Sequence, residues 1–192
     1  MSDAFAYLSV LLSIILGLAI AEVLQGYRAL LISRGKVKLY GPPLIWSATM
    51  LLLAIHFWWA SFGLAKRENW DFTAFSAVLM QTVMLFMGAS LLLPTKHSGE
   101  TIDLRAHYYR EAGPFFSFGL LFIIFGFLKD WLLDQRIVHG GLPMFFFLFF
   151  LASTIFALVV RKPRVHELLA PVMGVMVSIF IAMMFAKLGR IQ

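Results

Sequence analysis

The chain has no cysteine among its 192 residues. Disulfide bonds, thiol catalysis and iron–sulfur ligation are therefore excluded. Charged residues are also scarce, at 14% of the chain against about 25% in soluble domains. Because a water-soluble surface is built largely from polar and charged side chains, this composition argues against a soluble globular domain.

Signatures of known chemistry are missing too. The sequence contains no P-loop, no glycine fingerprint of a dinucleotide site, no G-x-S-x-G element and no H-E-x-x-H pair. No two of its five histidines have the i, i+4 spacing of metal ligands on one helix, and only His56 falls deep within an apolar stretch. We therefore expect no catalytic residues, no metal and no cofactor, haem included, and an intramembrane enzyme is the third-ranked alternative.

Apolar sequence is what the chain has in excess. Hydrophobic residues make up 61%, against about 45–50% in soluble domains, and they form six long stretches. Crossing a hydrocarbon core about 30 Å thick takes about 20 helical residues. In lipid each backbone polar group must be paired within its own segment, which favours helices over open strands. We predict an all-α integral membrane protein, a single transmembrane domain over residues 1–192 in which six helices form a bundle with short connections.

Glycine and proline mark the joins between the stretches and set the predicted helix bounds. One connection, 94–113, is longer than the others. Its Ile102, Ala106 and Tyr109 recur at helical spacing with charges between them, which predicts either a short interfacial helix over 101–112 or an ordinary solvated connector. The predicted transmembrane helices are 4–32, 44–65, 73–93, 115–133, 144–160 and 168–188.

The distribution of basic residues predicts an orientation. The first, third and fifth connections carry nine Lys and Arg residues, whereas the opposite side carries five. By the positive-inside rule we expect the odd-numbered connections in the cytoplasm and both termini outside, in a bacterial inner membrane. The net charge of +6 then reflects topology, and we expect no nucleic-acid partner, because the basic residues sit at helix ends rather than in one soluble patch.

Small residues recur every four positions on the first and last predicted helices. Residues four apart share a helix face, and in lipid the close approach of small residues supplies the energy of helix packing. We predict that these two stripes are packing faces, either against each other or at the contact of a homo-oligomer. The stripes are Ser9, Ser13, Gly17, Ala21 and Gln25, and Ala170, Gly174, Ser178, Ala182 and Ala186; Gly17, Ala21, Gly174 and Ala182 are the main predicted packing residues.

A few polar side chains fall deep inside the predicted helices, where an unpaired group is costly. Counted from the helix ends, His56 and Gln81 lie at the same depth, about 12 Å below the outer edge. Their helices follow each other in the sequence, so we predict that the two side chains point into the bundle within reach of each other, directly or through one water. Ser13 and Thr82 fall near that level, and Ser178 falls a few Å deeper, so that together these residues form a predicted polar layer.

Two functions are compatible with this layer. In the first, the protein conducts or transports an ion or small solute, with His56 able to relay protons. Glu22 takes part only if its carboxylate faces the bundle rather than the cytoplasmic boundary. In the alternative, the polar residues only lock helices together, and the protein is a non-catalytic membrane subunit or sensor that binds a protein or lipid partner. A wet cavity around His56 favours the first function, and a dry, packed pair favours the second.

Overall fold

The computed structural model describes residues 3–67, 70–95, 101–134 and 141–188. It is 89% helical, and six of the described helices are long and apolar enough to cross a membrane. The predicted all-α architecture and the predicted number of apolar helices are therefore confirmed. The helices are α1 (Asp3–Ile32), α2 (Gly41–Ser61), α3 (Phe72–Ser90), α4 (Leu104–Asp134), α5 (Gly141–Val159) and α6 (Pro163–Leu188).

Short elements tie two of the connections together. Strand β1 (Val37–Lys38) follows α1 and pairs in parallel with β2 (Ile102–Asp103), which immediately precedes α4. An exposed ion pair with a distance of 3.8 Å between Lys38 Nζ and Asp103 Oδ2 accompanies this pairing. The first and third connections therefore meet at one end of the bundle, which we term the β end. Two 3₁₀ turns, Arg34–Lys36 and Phe62–Lys66, complete the connecting elements.

Residues 104–112 are helical and continue directly into the next predicted helix. Helix α4 starts at Leu104 rather than at 115 and continues through Pro114. That this first part of α4 lies at the membrane surface stays a prediction. A proline inside a helix costs roughly 3 kcal/mol. Burial of one face along the whole segment offsets that cost. The buried face consists of Leu104, Tyr108, Ala112, Phe115 and Phe116.

Local signals explain where several helices begin. Helix α6 begins at Pro163 rather than at 168, because proline suits the first helical turn, where its missing N–H has no intrahelical partner. Asp71 accepts a hydrogen bond from the Ala74 amide at 2.6 Å before α3, and Asp103 accepts one from Ala106 at 2.9 Å before α4. The Ala106 amide is the main reason that the pKa of Asp103 is lowered.

Helix α3 is the most enclosed element. Of its apolar window, 44% is buried inside the protein, against 17–28% for the other five helices. It packs against α1 and α4, while α6 packs chiefly on α2 and α5 lies against α4 and α6. Small residues on the buried face of α3 allow this close packing. They are Ala74, Ala77, Gly88 and Ala89.

Candidate functional site

His56, the deepest predicted site residue, lies on α2 and is half-buried. Its ring makes edge-to-face contacts with Phe180 and Phe185 of α6, at centroid distances of 6.0 Å and 6.1 Å. Its Nδ1 atom is buried and has no hydrogen-bond partner among the described residues. The imidazole therefore lies in an aromatic setting against α6.

Gln81 lies on α3, is 6% exposed, and has its side chain packed against α4. Its Nε2 atom comes so close to Gly126 that a Cβ atom added there would lie 2.6 Å away. Its Oε1 atom is buried and unpartnered within the described part of the chain. Gln81 thus packs against α4 while His56 packs against α6, and the structure does not join His56 Nδ1 and Gln81 Oε1 in a hydrogen bond.

Two other members of the predicted layer are bonded to their own helices. The buried Thr82 hydroxyl donates to the Val78 carbonyl at 2.9 Å, and the exposed Ser178 hydroxyl donates to the Gly174 carbonyl at 2.8 Å. Such bonds to the carbonyl four residues earlier satisfy a hydroxyl locally. Neither side chain needs a partner from another helix.

The fifth layer residue, Ser13, and the conditional candidate Glu22 lie on α1. Ser13 is exposed, and its Oγ atom accepts a hydrogen bond from Trp58 Nε1 at 3.4 Å. Glu22 is half-buried. The five layer residues therefore face several different neighbours, and only Ser178 among them lines either of the two surface clefts described below.

The small-residue stripe of α1 faces outward. Ser13 and Gly17 are exposed, and Ala21 is half-buried. A Cβ atom added at Gly17 would have no atom of another element within 4 Å. Within one chain this stripe is therefore not packed on α6 at Gly17, and its role in an oligomer contact stays a prediction.

The stripe of α6 is partly packed. A Cβ atom at Gly174 would lie 3.3 Å from Thr49 Oγ1, so Gly174 packs against α2. Ala170 is buried, whereas Ala182 is exposed. The side chain of Ala186 lies outside the described residues. At Gly174 this stripe thus packs α6 against α2, whereas at Ala182 the stripe is exposed.

A cluster that we did not predict lies at the β end. This tyrosine–histidine cluster consists of Tyr40 from the α1–α2 connection, Tyr108 and Tyr109 of α4, and His166 of α6. His166 is fully buried and Tyr108 is 2% exposed. Both tyrosine rings of α4 have their centroids 5.6 Å from that of His166. The cluster therefore joins the first connection to the N-terminal parts of α4 and α6.

Hydrogen bonds fix the histidine of this cluster. The Nε2 atom of His166 lies 2.9 Å from the Val160 carbonyl oxygen, which can only accept, so Nε2 carries the proton. The Nδ1 atom of the neutral ring then accepts from the Tyr108 hydroxyl at 2.8 Å. Both ring nitrogens are satisfied, which is the arrangement expected of a buried histidine with a structural role.

Tyr40 forms the outer part of the cluster. Its hydroxyl lies 3.0 Å from that of Tyr109, and the guanidinium of Arg105 lies 5.7 Å from its ring centroid, within cation–π range. Burial is the main cause that raises the pKa of Tyr40, and Tyr109 and Glu167 add to the rise. Tyr40 therefore stays protonated at physiological pH and is a hydrogen-bonding group rather than a base.

Sequence alone does not reveal this cluster, because the predicted helix bounds leave its residues in connections. His166 precedes the predicted helix 168–188, and Tyr108 lies in the predicted connection 94–113. The available signal was the spacing of Leu104, Tyr108, Ala112 and Phe115, which lie on one helix face and continue the apolar pattern across Pro114.

Two surface clefts lie along α6. The basic cleft, at the β end, has a volume of about 530 Å³, and the α2–α6 groove, further along the bundle, has a volume of about 540 Å³. The basic cleft is lined by Arg105, Lys162, Pro163, Arg164, Val165 and Glu167. The α2–α6 groove is lined by Ile45, Pro171, Gly174, Val175, Ser178, Ile179 and Ala182.

In the described part of the chain, no three His, Asp or Glu side chains lie close enough together to hold a metal ion.

Comparison with known proteins assigns neither a family nor a function to this chain. The chain matches no protein-family model, and it matches neither a curated protein nor a solved structure.

Proposed function

We propose that this protein is a non-catalytic, multi-pass membrane subunit that binds a partner helix through the outer face of α1, and that the partner is a second copy of the chain. The observation that carries the proposal is the open face at Gly17, where a Cβ atom would meet nothing within 4 Å. In lipid, helices associate through small residues that let two backbones approach closely.

The shape of the α1 face supports a helix as the partner. Ser13, Gly17 and Ala21 form a shallow valley on this face, since residues four apart share one side of a helix. Large apolar side chains border the valley and provide ridges for packing. These are Val10, Ile14 and Leu18, which are 59%, 54% and 51% exposed.

We further propose that the six apolar helices span a bacterial inner membrane with the β end in the cytoplasm and both termini outside. The nine basic residues of the odd-numbered connections, against five on the opposite side, support this orientation. Pairing of β1 with β2, together with the contacts of Tyr40 and His166 at the start of α4, supports placing the first, third and fifth connections on one side of the membrane.

Cysteine cross-linking tests the α1 contact. Because the chain contains no cysteine, Gly17→Cys introduces a single thiol. Mild oxidation of native membranes should link two chains at this position and give a dimer on a non-reducing gel. Ile155→Cys is the matched control, because Ile155 is 43% exposed on a different helix, α5, and it should stay monomeric. Failure to cross-link at positions 13, 17 and 21 alike, or equal cross-linking at 155, contradicts the contact.

Transport is the second candidate function, and two unpaired atoms favour it. The buried Oε1 of Gln81 and Nδ1 of His56 have no partner among the described residues, and polar groups at membrane depth commonly belong to solute or proton paths. Purified protein in liposomes should then carry protons along an imposed pH gradient, and His56→Phe should abolish that flux without unfolding the protein. No flux above that of protein-free liposomes rules out a proton path.

A further inference from the structure

The basic cleft carries a net positive charge at the β end. Arg105 comes from the first turn of α4, and Lys162 and Arg164 flank the start of α6. Glu167 is the one carboxylate in its lining, so three cations and one anion give a formal charge of +2. All four side chains are exposed. The cleft is therefore suited to an anionic group that approaches from the surface.

The α2–α6 groove has the opposite character. Aliphatic and small residues line it, and its one side-chain hydroxyl, that of Ser178, is already bonded to the Gly174 carbonyl. Gly174 has no side chain and Ala182 has only a methyl group, so α6 contributes little bulk to the groove at these two positions. The groove is therefore suited to a slender apolar chain.

The cleft and the groove lie on one face of α6. Positions 164, 171, 175, 178 and 182 follow the helical repeat and fall on the same side of the helix. The rise from Arg164 to Ser178, which also lines the groove, is about 21 Å at about 1.5 Å per residue. One leaflet with its headgroups is about 20–22 Å thick, half of a bilayer of about 40–45 Å. A lipid standing in one leaflet thus spans both features.

We propose that the basic cleft and the α2–α6 groove together bind one anionic phospholipid. Its phosphate lies among Arg105, Lys162 and Arg164, and one acyl chain lies along the groove. Guanidinium groups bind phosphate oxygens through paired hydrogen bonds, and basic pockets beside apolar helices suit anionic headgroups. Free phosphate would occupy the cleft alone. The site is on a different surface from the α1 face and does not depend on self-association.

Native mass spectrometry of the full-length protein in a nonionic detergent tests the headgroup site. The probes are phosphatidylglycerol and phosphatidylcholine with identical acyl chains. The wild type should retain more phosphatidylglycerol. Arg164→Gln should lower that retention about fivefold and leave phosphatidylcholine unchanged, because one basic residue near an anionic lipid is worth about 1 kcal/mol. Arg34→Gln is the matched control, an exposed basic residue at the same end but outside the cleft.

The acyl-chain site needs its own variant. Ser178→Phe fills the α2–α6 groove and should lower the retention of both lipids, whereas Ile155→Phe on the exposed side of α5 should not. Equal retention of the two lipids by the wild type, or equal losses with Arg34→Gln and Arg164→Gln, overturns the proposal. Displacement of phosphatidylglycerol by inorganic phosphate, together with undiminished binding in Ser178→Phe, shows a free-anion site and overturns it too.

Discussion

Single residues set how closely the helices of this bundle approach, and Gly26 on α1 is the clearest case. A Cβ atom at this position would lie 2.4 Å from the Cβ of Leu93, a separation that real Cβ atoms essentially never show. Leu93 is 3% exposed, and its Cβ is fixed to the backbone, so it cannot turn aside. Packing of α1 against the segment after α3 therefore requires glycine at 26.

We predict that Gly26→Ala destabilises the protein by about 1–3 kcal/mol, the usual cost of forcing one extra carbon into a packed contact. Gly17→Ala adds the same carbon to the open face of the same helix, where it meets no other element, and should not destabilise the fold of the chain. Thermal unfolding of both variants in one detergent measures the difference. Equal midpoints for the two variants would show that α1 does not approach Leu93 as described.

The buried hydrogen bond between Tyr108 and His166 provides a second prediction. Tyr108→Phe removes the hydroxyl that donates to His166 Nδ1, and an unsatisfied buried acceptor costs about 1–3 kcal/mol. Tyr7→Phe is the control, because Tyr7 is 75% exposed. The unfolding midpoint should fall for Tyr108→Phe alone. An unchanged midpoint would mean that His166 finds another partner.

Residue counting predicts depth in a helix but not the direction of a side chain around it. The rise of about 1.5 Å per residue places His56 and Gln81 at one level. Which neighbour each one faces depends on how the helices are rotated and packed. The structure turns His56 toward Phe180 of α6 and Gln81 toward Gly126 of α4. Sequence alone carries no signal for this rotation, because apolar residues surround both positions on all sides.

At the scale of elements, the long apolar runs predict the number of helices correctly, whereas prolines are poor guides to where those helices begin. Helix α1 agrees with its predicted span almost residue for residue, at Asp3–Ile32 against 4–32. Helix α4 begins earlier than predicted because it continues through Pro114, and α6 begins earlier because Pro163 occupies its first turn. Tertiary packing overrides a local breaker where the buried face continues across it, as it does from Leu104 to Phe116.

Helix α5 is held by one narrow face, which gives a prediction for the whole element. Phe146 is 4% exposed and contacts Phe180 of α6 at 5.4 Å between ring centroids. Phe146→Ala should destabilise the bundle by less than the roughly 3–5 kcal/mol of a water-soluble core, because lipid also accepts an apolar ring. Phe145→Ala should have little effect, since Phe145 is 53% exposed. Equal losses for the two would mean that α5 packs through another face.

At the scale of the whole molecule, the odd-numbered connections converge at the β end. Pairing of β1 with β2 joins the first and third connections. The hydrogen bonds of His166 link the start of α4, at Tyr108, to the fifth connection, at Val160. The alternation of six helices predicts that these connections share a side. It does not predict the contacts at the β end, because those depend on α4 and α6 extending beyond their predicted starts.

Reporter fusions test the proposed orientation. A fusion after Gly99 should report cytoplasm and a fusion after Asn69 should report the exterior, because basic residues are retained on the cytoplasmic side. Both positions lie outside the described residues and within connections. The opposite pair of signals would invert the orientation and leave the helix count unaffected.

The mass of the assembly in native nanodiscs, measured for the wild type and for Gly17→Leu, tests the central claim most directly. One chain has a mass of 21.7 kDa. The wild-type assembly should have the mass of two chains. Gly17→Leu should be a single chain that still folds, because leucine meets open space within the chain but fills the α1 valley. A wild type that is extracted as a single chain would contradict the account.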